Sequence, residues 1–115
     1  MRNMSFAMTT TQMRRHAKTV TRRFGWWFLR PGDLVQPVEK AMGLKKGEKI
    51  KKICCPIRVV STQREPLNAV TKHECFLEGF PEMFALEFAD MIMRHYGCSF
   101  NAIVNRIQFE FTEAL

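Results

Sequence analysis

Between positions 18 and 23 the chain reads Lys18-Thr19-Val20-Thr21-Arg22-Arg23, three cations and two hydroxyls within six residues. Such a cluster suits phosphate or carbonyl oxygens. A cation beside a phosphate releases a condensed counterion, and a guanidinium presents a planar fork of donors. Trp26 and Trp27 follow, and single-stranded RNA binders set aromatic platforms beside cations. Core packing is the commoner fate of such a pair. In a strand, alternation would bury one indole and expose the other, which leaves one stacking candidate, Trp26.

The wider charge pattern points the same way. The formal charge is +7, and its excess lies in the first half, from Arg14, Arg15 and Lys18 through Arg22, Arg23 and Arg30 to Lys40, Lys45, Lys46, Lys49, Lys51 and Lys52. This asymmetry favours a polyanionic or phosphate-bearing partner, although a Lys-rich loop can equally be a solvated surface. Four cysteines, Cys54, Cys55, Cys75 and Cys98, show no disulfide framework, and with His73 and His95 they include no C-x-x-C pair. Reduced thiols, no metal and no cofactor are therefore expected. The apolar stretches fall far short of the ~20 residues of a membrane-spanning helix. Polar Thr9 to Gln12 stand where a signal peptide would need its apolar stretch, so the expected location is the cytoplasm.

The elements that must position the cluster are short. With 115 residues and 46% hydrophobic content, one domain over 1–115 with one main cleft is expected. An edge strand is expected over Ser5 to Met8, then a short helix near Gln12 with Thr9 to Thr11 as caps. β-branched Thr19 to Thr21 favour a strand over Lys18 to Arg23. In a regular strand Thr21 and Arg23 share one face, whereas Lys18 and Thr21 point oppositely. The Arg30-Pro31-Gly32-Asp33 turn should lead into a strand over Leu34 to Val38. Residues 39–52 form a Lys- and Gly-rich insert, a mobile loop or short helix and the least ordered part.

A further strand is expected over Ile53 to Thr62, with Ile57 and Val59 facing inward and Pro56 marking it as an edge strand or bulge. Thr71 and Glu74 have capping-box spacing, with the Glu74 carboxylate placed to reach back to the cap, and Gly79 should end that helix. By local pattern Glu78 is an exposed helix-end acid. A second helix carries Ala85, Phe88, Ala89, Ile92 and Tyr96 on one face and stops at Gly97. Alternation of Ile107, Phe109 and Phe111 with Arg106, Gln108 and Glu110 closes the chain with a half-buried strand. Strands, then a helix pair, then a returning strand make an α+β domain, best fitted by a small barrel or half-barrel.

Three blocks in order carry a resemblance: Lys18 followed by Arg23, Pro31-Gly32-Asp33-Leu34-Val35, and Glu78-Gly79-Phe80. Together they resemble the ASCH domains of the PUA-like superfamily. The resemblance implies a small mixed β-barrel flanked by short helices, with Lys18 and Arg23 at its mouth. One departure is His16, two positions before Lys18, where many members have Gly. Activities in the family differ: RNA binding, RNA cleavage, and hydrolysis of the acyl amide of N4-acetylcytidine. The amidohydrolase resemblance places its Lys, Thr and acid at Lys18, Thr21 and Glu78.

The first expectation is accordingly an RNA or nucleoside binding module, with Lys18, Arg22, Arg23, Glu78 and Trp26 as binding residues. The alternatives are an amidohydrolase on N4-acylated cytidine, with Lys18, Thr21 and Glu78 catalytic, and a ribonuclease using the same basic cleft.

Overall fold

Alternation is strongest at the end of the chain, and that segment sits at the heart of the fold. In the computed structural model, which describes residues 1–113, Ile103–Phe111 forms a strand whose Ile107 and Phe109 are buried. The preceding strands are β1 (Arg2–Ser5), β2 (Val20–Arg23), β3 (Leu34–Val38) and β4 (Ile57–Pro66), which makes Ile103–Phe111 β5. They form one sheet in the order β1-β3-β4-β5-β2. β1 pairs parallel with β3, and the other neighbours are antiparallel. The expected barrel is not closed: β1 and β2 are the two edges and share no ladder. Side chains bridge that seam instead, with the Arg23 guanidinium 4.6 Å from the centroid of the Phe6 ring.

The α+β class and the strand over Leu34 to Val38 are as expected. The Pro31-Gly32-Asp33 turn leads into it, with the Asp33 carboxylate accepting from the Arg30 amide at 2.9 Å. Other boundaries move. The first strand, expected over Ser5 to Met8, runs instead over Arg2–Ser5, because Ala7–Thr9 coils into a 3-10 turn. β4 begins after Pro56 and lies between β3 and β5, so it is interior; Pro56, outside the ladder, removes no pairing bond. The irregularity falls between Val59 and Ser61. Ile57 and Val59 face the core while Arg58 and Val60 face outward, as their alternation requires. Phe24 to Leu29 is not a strand: Gly25 and Trp26 both take positive φ (82° and 58°), so strand alternation does not govern the tryptophans. The 39–52 segment contains no helix; it returns to the sheet through an isolated bridge between Val38 and Lys52.

Three helices complete the domain: α1 (Thr10–Arg14), α2 (Lys72–Leu77) and α3 (Ala85–Tyr96). Phe88, Ala89 and Ile92 bury the expected face of α3, and Gly97 ends it at φ 65°. Thr71 caps α2 by accepting from the Glu74 amide at 3.2 Å. The core divides in two. One cluster, including Phe6, Met13, Ile57 and Phe109, lies against the sheet; the other joins α2 and α3 to Leu67 and Val104.

Gly79 and Gly97 both hold positive φ, but their surroundings differ. A Cβ on Gly97 would meet nothing within 4 Å, whereas one on Gly79 would lie 2.9 Å from Cγ of Gln12 and 3.3 Å from Cβ of Lys18. Gly97→Ala should therefore cost about 1 kcal/mol of left-handed strain. Gly79→Ala should cost clearly more, because α1 must also move. Urea unfolding of the two variants measures the difference; equal losses would show that crowding at Gly79 is relieved freely.

Candidate functional site

Lys18 and Glu78 are delivered by the same backbone device used twice. At the end of α1 the Ala17 amide donates to the Gln12 carbonyl at 2.8 Å and the His16 amide to that of Met13 at 3.2 Å. At the end of α2 the Phe80 amide donates to Cys75 at 2.9 Å and the Gly79 amide to Phe76 at 3.0 Å. Both are Schellman closures, which need a left-handed residue just past the helix. Gly79 fills that position at φ 94° and His16 fills the other at φ 55°. His is among the non-glycine residues that tolerate this region, and its ring stacks on Phe111 at 3.9 Å. The two closures pack against each other, with the Gln12 side-chain amide donating to the Gly79 carbonyl at 3.3 Å.

Lys18 thus lies before β2 proper, so strand alternation does not separate it from Thr21. Its Nζ donates to Glu78 Oε1 at 2.7 Å and to the Glu78 carbonyl at 2.9 Å. The other carboxylate oxygen, Oε2, accepts from Arg22 Nη1 at 2.9 Å. Arg22 Nη2 then donates to Glu74 Oε1 at 2.6 Å, and Arg106 donates to both oxygens of Glu74. The result is an alternating chain, Lys18–Glu78–Arg22–Glu74–Arg106. Lys18, Arg22 and Glu78 are each only 3% exposed, so Glu78 is not the solvated helix-end acid its position suggests. Nor does the Glu74 carboxylate reach back to its helix cap. Arg22 and Arg106 are direct cross-strand partners, and two like charges so placed demand a carboxylate between them.

This chain sets the local acid–base properties. Burial pushes the Lys18 ammonium below the ordinary lysine value; Glu78 pulls the other way, and Arg23 and Arg22 add to the lowering. Burial also lowers Arg23. For Arg22 burial alone would do the same, but Glu78 and Glu74 outweigh it and its pKa is raised. The hydrogen bond from Arg106, with those from Arg22, holds Glu74 at about 2.

A cleft of 210 Å³ opens beside this network, at the seam between the two edge strands. Lys18, Thr21, Arg22, Arg23 and Glu78 line its polar side, and Phe6, Phe80, Phe88 and Tyr96 its apolar side. Arg23 Nε donates to Thr21 Oγ1 at 2.9 Å, so these two share a face of β2 as expected. The structure therefore brings together five of the six residues singled out in the sequence. Trp26 is apart: half-buried, it packs against the sheet cluster and lines a neighbouring hollow. The exposed indole is that of Trp27, under the Arg64 guanidinium at 4.3 Å. The cleft's aromatic wall comes instead from Tyr96, which makes an edge contact with Phe24. Lys45 to Lys52 line neither cavity.

Glu74, Arg106 and Tyr96 read in sequence as a helix-cap acid, an outward strand residue and a helix-face residue, with no signal that they belong to the site. Only the cross-strand register reveals why Glu74 is needed, and only packing brings Tyr96 to the cleft. Arg22 Nε is the buried side-chain polar atom without a hydrogen-bond partner among the described residues.

A single open sheet with a helix pair over one end, and a buried cation–carboxylate chain at its seam, defines the class of domain. No protein-family model and no curated protein sequence matches the chain. Solved structures do. The ASCH domain from Lactobacillus crispatus JV V101 aligns with a TM-score of 0.67 and 13% identity over 95% of this chain and 77% of that one. An Enterococcus faecalis V583 protein of the family DUF984 aligns with a TM-score of 0.58 and 15% identity over 91% of this chain and 67% of its own. The fold is that of an ASCH domain.

Glu74 yields a pH prediction. Its folded-state value of about 2 lies below the ordinary 4.5, so the stability it contributes is fully present above the ordinary value and lost as pH falls toward the folded one. Glu74→Gln should lower stability at neutral pH and flatten the acid-unfolding curve within that window. An unchanged slope in pH-dependent thermal unfolding would refute the assignment. Glu78→Ala should cost about 3–5 kcal/mol by stranding Lys18. Lys18→Met should cost less, since Glu78 keeps Arg22.

Proposed function

We propose that this domain binds a single nucleobase-bearing unit, a nucleoside or one unpaired RNA residue, in the Lys18–Glu78 cleft. The observation that carries this reading is the cleft's form: 210 Å³, below the roughly 300–1,000 Å³ of drug-sized pockets, with aromatic walls facing a compact set of donors and acceptors. Flat apolar walls suit a base, and Arg23 with the Thr21 hydroxyl beside it suits its edge. Lys18 and Arg22 are committed to carboxylates. A groove that tracks a phosphate backbone would leave such cations uncompensated, so one unit fits better than a strand.

A second reading, hydrolysis of an N4-acylated cytidine, draws support from the meeting of Lys18, Thr21 and Glu78 at one cleft and from the lowered pKa of Lys18. The Thr21 hydroxyl would add to the acyl carbonyl while Lys18, in its neutral amine form, takes the hydroxyl proton. Arg23, already bonded to Thr21 Oγ1, orients that oxygen. Glu78 holds the lysine in place. Collapse of the tetrahedral adduct would return the proton to the departing amine, and water would then release the acyl group from Thr21.

The test incubates wild-type and Lys18→Ala protein with N4-acetylcytidine and with a mixed RNA pool, following products by mass-resolved chromatography. Cytidine released by wild type but reduced at least about 100-fold in Lys18→Ala would establish the hydrolase. Saturable nucleoside binding without turnover would leave the binding reading alone. RNA fragments absent with the variant would mean a ribonuclease and overturn both.

A further inference from the structure

A second hollow, of 560 Å³, adjoins the first; Arg23 and Ser5 line both. Its remaining polar lining is Arg2, Asn3 and Lys40, with Trp26 at one side. Among the described residues no carboxylate lines it. The parallel pairing of β1 with β3 sets Arg2 opposite Val35 and Ser5 opposite Val38, and the segment that follows β3 adds Lys40, Ala41 and Met42 to the same hollow. Glu39, the nearest acid in sequence, is drawn away to Arg14 at 3.3 Å. Lys40 meets Glu48 at 3.4 Å, but both side chains are well exposed, and such surface pairs are worth little. The Arg2 guanidinium lies 4.5 Å from the Phe28 ring centroid and, among the described residues, pairs with no acid.

Arg23 stands at the junction. It bonds to the Thr21 hydroxyl and lies over the Phe6 ring, and among the described residues it forms no ion pair. Lys18 and Arg22 in the first cleft are each paired directly with Glu78, so Arg23 is the cleft cation left for a ligand to pair with. With Arg2 and Lys40 beyond it, three cations line a space large enough for a sugar and its phosphate. Guanidinium forks favour phosphate oxygens in paired geometry.

We propose that this hollow receives the ribose phosphate of a nucleotide whose base occupies the Lys18–Glu78 cleft. The ligand is then a nucleotide rather than a free nucleoside, and the Arg2–Arg23–Lys40 edge is its phosphate subsite. This rests on the nucleobase reading of the first cleft. The phosphate could be attached at either end of the ribose, and the two esters share the chemistry the subsite recognises.

Calorimetric titration of the full chain with N4-acetylcytidine, its 5′-monophosphate and its 3′-monophosphate tests this; if the amide is consumed, kcat/KM replaces the dissociation constant. The variant is Arg2→Ala/Lys40→Ala, whose changed side chains lie outside the buried network. One monophosphate should bind wild type roughly tenfold or more tightly than the nucleoside. That advantage should shrink with added salt and vanish in the double variant, which keeps its nucleoside affinity and melting temperature. Which ester gains identifies the end that carries the phosphate. Equal binding of nucleoside and both esters by wild type would overturn the phosphate subsite while leaving the base cleft standing. A phosphate advantage that survives in the double variant would overturn it too. If none of the three binds, the base cleft itself fails and the subsite falls with it.

Discussion

The Glu78 carboxylate holds this domain's site together. One oxygen takes Lys18 at 2.7 Å and the other takes Arg22 at 2.9 Å. A buried charge left alone would cost several kcal/mol, and a pair recovers that only when its geometry is good and its other lone pairs are used. Here both conditions follow from the backbone. Glu78 is the C-cap of α2, so its carbonyl, freed at the helix end, also accepts from Lys18. The acid and its carbonyl are offered together to one ammonium.

That offer depends on two helix ends packing closely. Each closes through a left-handed residue, and the space between them admits no Cβ at Gly79. At the corresponding place before Lys18 the chain carries His16, where ASCH-like sequences resembling this one favour Gly. The structure explains both preferences: the backbone there is left-handed, which glycine takes freely, and His16 is held in it by stacking on Phe111. His16 therefore completes before Lys18 the same kind of left-handed closure that Gly79 completes after α2.

Charge also explains the sheet's shape around the cleft. The two apolar clusters lie on either side of a polar seam, and β1 and β2 meet there through side chains rather than a ladder. A closed barrel would fill that seam with backbone pairing. Left open, it becomes a cleft with Phe6 on one edge strand's continuation and Thr21 and Arg23 on the other. The inner cations are paired with carboxylates, whereas Arg23, which lines both hollows, forms no ion pair among the described residues.

Periodicity alone determined α3 and β5, because a half-buried strand and an amphipathic helix each write their burial into local spacing, while β3 was legible from the turn that leads into it. The order of the Lys18, Pro31-Gly32-Asp33 and Glu78-Gly79-Phe80 blocks carried the fold, and the composition of residues 18–23 marked the right strand. Tertiary structure decided the rest. The Lys18–Glu78 contact spans sixty residues, and no local pattern encodes which acid a lysine will meet. The capping-box spacing of Thr71 and Glu74 was legible, yet the carboxylate turned to Arg22 and Arg106, since neutralising a cross-strand arginine pair outweighs one helix-end hydrogen bond. Strand alternation does not apply to the tryptophans, because positive φ at Gly25 and Trp26 is a property of the folded loop, not of its apolar composition. Local sequence sets which residues can be helix, strand or turn; long-range packing sets which charges are buried together, and the candidate chemistry lies in the second.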